Sequence, residues 1–328
     1  MVKCVCTIFT HSIHPKGIQH KLDKEYHCSW FSDETMTDTG KGWVRKYDYS
    51  WLERLAVNVI KVGRVPKHIA VIMDGNRRFA RQAGDPVLAG HKAGFDKLAE
   101  TLQWCRELGV REVTVYAFSI ENFNRTESEV SDLLNLARDK FRVLLGEQEK
   151  LREAGVRVRI IGNLSYIPAD LRDVIREVES VTASNGQSLL NIALSYTSRE
   201  EITHAVREVA GRVASGHLEA EEVDEETLER FLYTGQSEKP ELLIRTSGET
   251  RLSDFMLWQA SSSITYFSPV LWPEFSLWQL LAGIFFFQRQ HSRLQQLLNS
   301  PTSSPAQEKW GKLEQRSQVV EILNSWQC

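Results

Sequence analysis

Three short strings in this chain place arginine beside groups suited to a polyanion. The first is Met73-Asp74-Gly75-Asn76-Arg77-Arg78, a carboxylate, a glycine and two adjacent guanidiniums. Arginine's planar fork grips phosphate oxygens bidentately, and glycine lets the backbone turn so that amides face an anion. Asp74 would pair with the arginines in an empty site. With a diphosphate present it could instead hold Mg2+ against the phosphates. The second string runs from Tyr116 to Arg125 and supplies Ser119, Asn122, Asn124 and Arg125. In the third, Ile244 to Asp254, Arg245 and Arg251 flank a Ser-Gly turn, with Ser253 and Asp254 able to cap a helix. His91, in Gly90-His91-Lys92-Ala93-Gly94, reads either as a phosphate-contacting group or as a packed structural histidine. Each string alone also reads as a polar loop with surface charge. Together they hold fewer acids than arginines, and half-buried arginines need anionic partners, which a bound polyanion would supply.

Common alternatives lack their residues. There is no G-x-x-x-x-G-K-[ST], no G-x-G-x-x-G, no H-E-x-x-H, no G-x-S-x-G and no D-D-x-x-D. A formal net charge of −3 over 328 residues gives no general attraction to nucleic acid. No apolar run approaches the ~18 residues of a membrane span, and Val2–Thr10 is too short and interrupted for a signal peptide. Cys4, Cys6, Cys28, Cys105 and Cys328 have no metal-ligand spacing, which suits a reducing compartment.

The elements that must position these strings follow from periodicity. Residues 1–47 show no sustained period and read as a disordered extension, with Met36 available as an alternative start. Trp51, Leu52, Leu55, Ala56, Val59 and Ile60 then recur at helical spacing until Gly63 and Pro66. That amphipathic helix, 48–64, either packs on a core or lies on a membrane surface, where Trp51 and Lys61 would suit the interface. Beyond Pro66, strands are expected at His68–Met73, Glu112–Phe118, Val156–Gly162, Leu189–Leu194, Glu241–Ile244 and Ile264–Phe267. Helices are expected near 86–108, 126–154, 168–184, 198–214 and 275–298, followed by a polar tail over 299–328. The class is α/β, a central, mostly parallel sheet of about six strands flanked by helices. Ligands in such folds bind beyond the carboxyl ends of the strands, which is where all three strings fall.

The strings also carry a family resemblance. His68-Ile69-Ala70-Val71-Ile72-Met73-Asp74-Gly75-Asn76-Arg77-Arg78, Thr114 to Phe123, Ile244 to Gln259 and Val270-Leu271-Trp272-Pro273-Glu274 resemble, in order, the signatures of the cis-prenyltransferase (undecaprenyl diphosphate synthase) family, in its eukaryotic dehydrodolichyl-type branch. The resemblance covers about Trp51 to Leu298, so that 65–298 is expected to be the catalytic domain. It implies a Mg2+-dependent enzyme adding isopentenyl diphosphate units in cis to farnesyl diphosphate. Asp74 would serve the metal and the allylic diphosphate, Gly75, Arg77, Arg78 and Arg125 would bind that diphosphate, and Asn122 and His91 would join Asp74 in catalysis. Arg245, Arg251 and Ser253 would hold the isopentenyl diphosphate. The growing hydrocarbon needs an apolar tunnel, for which Leu98, Leu102, Leu133, Leu136 and Phe141 serve either as lining or simply as core. Two departures stand out. The family's later metal-assisting Glu aligns with Ile264, and no Arg-x-Gly occurs in residues 284–328. The second implies a fold-related partner, resembling the Nogo-B receptor, that supplies the missing loop. A membrane-surface enzyme on the cytosolic face of the endoplasmic reticulum is the corresponding expectation. The rival readings are a non-catalytic scaffold subunit of such a complex and a synthase of shorter chains.

Overall fold

The computed structural model describes residues 42–235 and 237–299. The polar tail expected over 299–328 (apart from Asn299 at the end of the last helix), the possible start at Met36 and all of the extension before Gly42 lie outside these residues. Six strands form one sheet in the order β3-β4-β2-β1-β5-β6, every neighbouring pair parallel. They are β1 His68–Ile72, β2 Glu112–Ser119, β3 Val156–Ile161, β4 Ser188–Tyr196, β5 Leu242–Arg245 and β6 Ile264–Phe267. Strand β1 is buried at all five positions. Its side chains alternate between two cores, as the two-residue repeat of a strand requires. Ile69 and Val71 join Val113, Val115, Ile192 and Ile244 on one face, while Ala70 and Ile72 join Leu243, Ala193, Phe255 and Met256 on the other.

The helices are α1 Trp51–Val62, α2 Asn76–Ala83, α3 Val87–Leu108, α4 Glu127–Gly146, α5 Gln148–Glu153, α6 Ala169–Thr182, α7 Ser198–Ala214, α8 Glu225–Phe231 and α9 Leu277–Asn299. The first core takes Leu98 and Trp104 from α3, Phe141 and Leu144 from α4, Leu171 and Ile175 from α6, and Leu280 and Ile284 from α9. Helix α1 begins with a capping box, Ser50 with Glu53, and buries Val57 and Ile60. Gln288 of α9 donates to the Ile60 carbonyl at 2.8 Å. Trp51, Leu52, Leu55, Val59 and Val62 remain exposed on the same helix.

The structure corrects four expectations. The helix expected across 126–154 is broken at Glu147, whose φ of −107° and ψ of 18° end α4 before α5 begins. A short helix, α2, starts directly after Gly75, where a turn was expected. Helix α8 was not anticipated. Residues 42–47, read as disordered, are packed: Trp43 is buried, its backbone N–H reaches the Glu147 carboxylate at 2.6 Å, and its indole N–H the Lys140 carbonyl at 2.8 Å. Phe95 meets the indole edge-on at 4.7 Å and Arg45 pairs with Asp96 at 2.7 Å. One aromatic anchor orders this segment without any periodic pattern.

Candidate active site

A cleft of about 510 Å³ opens at the carboxyl ends of β1, β2 and β5. Asp74, Gly75, Arg77, Arg78, His91, Asn122, Arg125, Arg245, Arg251 and Ser253 all line it, so the residues singled out from the sequence converge in one place. Strand β1 lies between β2 and β5; the chain runs from β1 to β2 on one side and from β5 to β6 on the other, and such sheets open a crevice where neighbouring connections diverge.

Gly75, three residues beyond β1, has a φ of 111°, and α2 begins at the next residue. A side chain there would be strained, and its Cβ would stand 3.0 Å from the Leu271 Cα. Arg77 and Arg78 therefore sit in the first turn of α2. That helix is pressed onto α3 at Gly90 and Gly94, where an added Cβ would fall 2.1 Å from the Asn76 carbonyl and 2.2 Å from its Oδ1.

Asp74 is held by its backbone and by its carboxylate. Its N–H donates to Thr246 Oγ1 at 3.0 Å, the Thr246 hydroxyl donates to its carbonyl at 2.7 Å, and Trp272 N–H reaches the same carbonyl at 2.9 Å. Arg245 Nη2 donates to Oδ2 at 2.9 Å, and Arg78 Nη2 stands 3.8 Å from Oδ1. Burial pushes the Asp74 carboxyl up, but the bonds from Arg245 and Ser247 and the charges of Arg245 and Arg78 outweigh it and hold the group below its usual range. It is ionised at neutral pH. Arg245, only 3% exposed, also donates through Nη1 to Ser253 Oγ at 2.8 Å and to the Arg251 carbonyl. Its Nε is buried with no partner, one unused donor in the wall of the cleft. Arg251 pairs with Glu249, which stands 3.5 Å from Arg78.

A second cluster forms the opposite wall. Arg125 Nη1 donates to Glu129 Oε1 at 2.8 Å, and Arg77 Nε lies 3.6 Å from that oxygen. Burial foremost, then the charges of Arg125 and Arg77, push His91 down to about 4 against the opposing effect of Glu129. His91 is therefore neutral at neutral pH, and its buried Nε2 has no partner. Asn122 spends its side-chain oxygen on the Ser119 N–H at 3.0 Å, closing the 3₁₀ turn Ile120–Asn124. Its geometric task is to shape the loop that presents Arg125. Sequence reasoning missed Glu129, Thr246 and the cleft-lining Arg81. Only Glu129 carried a signal, its i,i+4 spacing from Arg125.

Among the described residues no three His, Cys, Asp or Glu side chains gather as a metal cage. Ile264 lies opposite Leu242 at the start of β5, three residues before the Phe267–Arg245 pair, so it is about 10 Å along the strand from the cleft. Asp74 offers a hard oxygen donor on the cleft wall among the arginines, whose other acidic neighbours are Glu129 and Glu249. That set fits Mg2+, which keeps waters and binds through one or two carboxylates plus substrate phosphates.

A second, mostly apolar cavity, small at about 60 Å³, lies at the amino ends of β2, β3 and β4, lined by Trp43, Leu102, Val113, Leu144, Val158 and Leu190 among others. Of the residues considered for a hydrocarbon tunnel, Leu102 lines this cavity and Leu133 the cleft. Leu98 and Phe141 are buried in the core, and Leu136 is half-buried and lines neither space.

The family model described as putative undecaprenyl diphosphate synthase matches residues 72–295, which include the whole cleft. The chain belongs to this family. The dehydrodolichyl diphosphate synthase complex subunit of Homo sapiens is 51% identical over 253 residues, 77% of this chain and 76% of that protein. A tritrans,polycis-undecaprenyl-diphosphate synthase of Methanopyrus kandleri is 44% identical over 245 residues, 75% of this chain and 90% of the relative. Among solved structures, lavandulyl diphosphate synthase from Lavandula x intermedia, in complex with dimethylallyl diphosphate, aligns with a TM-score of 0.65 at 33% identity, over 68% of this chain and 95% of the other. As a cis-prenyltransferase the chain is a prenyl-diphosphate enzyme on a six-stranded parallel sheet.

Proposed function

We propose that this cis-prenyltransferase is the catalytic subunit of a dehydrodolichyl diphosphate synthase, lengthening farnesyl diphosphate with isopentenyl diphosphate for dolichol synthesis and hence protein glycosylation. The observation that carries this reading is Arg245, buried and shared between Asp74 and Ser253, which joins the expected allylic and isopentenyl diphosphate sites in one cleft.

In the reaction the C1–O bond of the allylic diphosphate breaks and its electron pair leaves with the diphosphate. The isopentenyl double bond supplies the electrons of the new bond to C1, and loss of a proton leaves a cis double bond. Charge grows on the departing phosphate oxygens, and donors already aimed at that point stabilise it with little reorganisation. Arg77, Arg78 and Arg125 would face the leaving group, with Gly75 allowing the backbone to approach. Neutral His91 would offer a hydrogen bond without adding a further cation. Arg245, Arg251 and Ser253 would fix the second diphosphate so that its double bond faces C1. Mg2+, held by Asp74 and the substrate oxygens, would supply further neutralisation of the diphosphate charge. Each CH2 of product moved from water to apolar walls would contribute roughly 0.8 kcal/mol, which favours an apolar path for the growing chain.

A partner and a membrane complete this reading. The human and mouse relatives are named as subunits of a complex, and no Arg-x-Gly is present in residues 284–328. A Nogo-B-receptor-like subunit that brings such a loop would complete the site. No helix of the described residues is long and apolar enough to cross a membrane. The exposed apolar side of α1 is the surface we assign to a lipid interface at the cytosolic face of the endoplasmic reticulum. The test is incorporation of radiolabelled isopentenyl diphosphate with farnesyl diphosphate and Mg2+, with and without the partner subunit. Partner-dependent incorporation that a chelator and Asp74→Ala both abolish supports the reading. Folded protein inactive under every condition would instead make the chain a scaffold.

A further inference from the structure

We propose that Arg199, outside the cleft, is a positioning residue that clasps the two substrate loops together and holds Ser253 in the orientation Arg245 uses. The inference rests on the proposed function for the identity of the substrate at Ser253. Its structural basis is independent of that reading.

Ser253, Asp254 and Met256 have φ values of 47°, 58° and 48°, and none is glycine. Such a run of left-handed residues persists only where the surroundings fix it. Here the fixing comes from the first turn of α7. Ser198 N–H donates to the Asp254 carbonyl at 2.8 Å, and Ser198 Oγ accepts from Leu257 N–H at 2.7 Å. Arg199 binds the Asp254 carboxylate twice, through its backbone N–H to Oδ1 at 3.2 Å and its Nε to Oδ2 at 2.7 Å. The carboxylate thus sits at the amino end of a 17-residue helix, where the helix dipole also favours it.

The remaining arm of the same guanidinium reaches the other loop. Arg199 Nη2 donates to Glu121 Oε1 at 3.0 Å. Glu121 precedes Asn122 in the turn that presents Arg125, and it lines the cleft. One side chain therefore spans from the loop of Ser253 to the loop of Arg125. Tyr116 runs parallel to it, its hydroxyl within 3.1 Å of the Tyr196 carbonyl and 3.4 Å of the Ser253 carbonyl. The Arg199 side chain is 75% exposed and is not among the cleft-lining residues, so it acts on the reaction through Asp254 and Glu121. The Arg199–Glu121 arm is exposed on both sides and adds little to global stability. The nearly buried Asp254 keeps its backbone N–H bond from residue 199 when the guanidinium is removed, so the loss chiefly frees a strained loop to relax. An effect on substrate geometry can therefore be separated from an effect on folding.

The experiment uses the full chain with its partner subunit and compares wild type, Arg199→Met, Arg199→Lys and Glu121→Gln. KM is measured for each substrate, the Kd of inorganic diphosphate by calorimetry, and the thermal midpoint of each variant. For Arg199→Met we expect KM for isopentenyl diphosphate to rise about tenfold, as for loss of one charge-assisted contact, with an unchanged thermal midpoint. Lysine, which can reach one carboxylate but lacks the fork to span both, should recover part of the loss. Glu121→Gln should give a smaller rise than Arg199→Met. Wild-type KM for both substrates in an active Arg199→Met enzyme would overturn the clasp. So would a KM rise matched by a fall in thermal midpoint, which marks a merely structural role. A wild-type protein that incorporates no isopentenyl unit would instead overturn the proposed function. In that case Arg199 stands if Arg199→Met weakens inorganic diphosphate binding and falls if it does not.

Discussion

The two ends of the sheet hold opposite kinds of space. At the carboxyl ends of β1, β2 and β5 the cleft is walled by arginines and one ionised aspartate. At the amino ends of β2, β3 and β4 the cavity is walled mostly by leucine, valine and Trp43. The difference follows from how a parallel sheet is built. Loops at the carboxyl ends lie beyond the last paired residues and can carry charge, whereas the helix-covered faces must be apolar. A substrate with a charged head and a hydrocarbon tail needs both environments. The comparison predicts that substitutions in the cleft change turnover and substitutions around the cavity change stability.

The strongest test of that division is Asp74→Ala, which should lower incorporation on the order of 10³-fold while leaving the far-ultraviolet circular dichroism spectrum unchanged. A spectrum that collapses would show that Asp74 serves the fold as much as the chemistry. Trp43→Ala should destabilise the protein by about 3–5 kcal/mol in urea titrations, because a buried indole and its hydrogen bonds are lost. Its rate for the first condensation should match wild type, and a lower rate would mean that the two regions are coupled. The smallest effect concerns His91. Its folded-state value is depressed to about 4, so below about pH 6.5 the unfolded chain takes up a proton that the folded chain refuses. Stability should decline as pH falls from 6.5 to 4, by about 3 kcal/mol from this group. His91→Gln should flatten that limb, and an unchanged pH profile would show that His91 titrates freely in the folded protein.

The sheet was legible because its strands are near-continuous apolar runs bounded by glycine and polar strings. Strand β6 has the expected bounds, β1, β2 and β3 differ by one residue at one end, and β4 and β5 differ by one or two residues at both ends. The arginines of the cleft were legible for a related reason, since charge directly after a buried strand has few structural uses. What stayed hidden depended on distant contacts. Helix α2, with the sequence Asn-Arg-Arg-Phe-Ala-Arg-Gln-Ala, buries only Ala80, so no apolar stripe announces it. Residues 42–47 owe their order to Lys140, Glu147 and Phe95, about a hundred positions away or half that. Arg199 resembles any surface arginine until the positive φ values of Ser253 and Asp254 show what it restrains.

Glu129 gives the cleft a property of its own. Arg77 and Arg125 share its carboxylate, so under the proposed function a diphosphate would enter by ion exchange rather than onto bare cations. Exchange releases one anion as it binds another. The net charge neutralised is smaller than the arginine count implies, and the ionic-strength dependence of allylic substrate affinity should be correspondingly shallow.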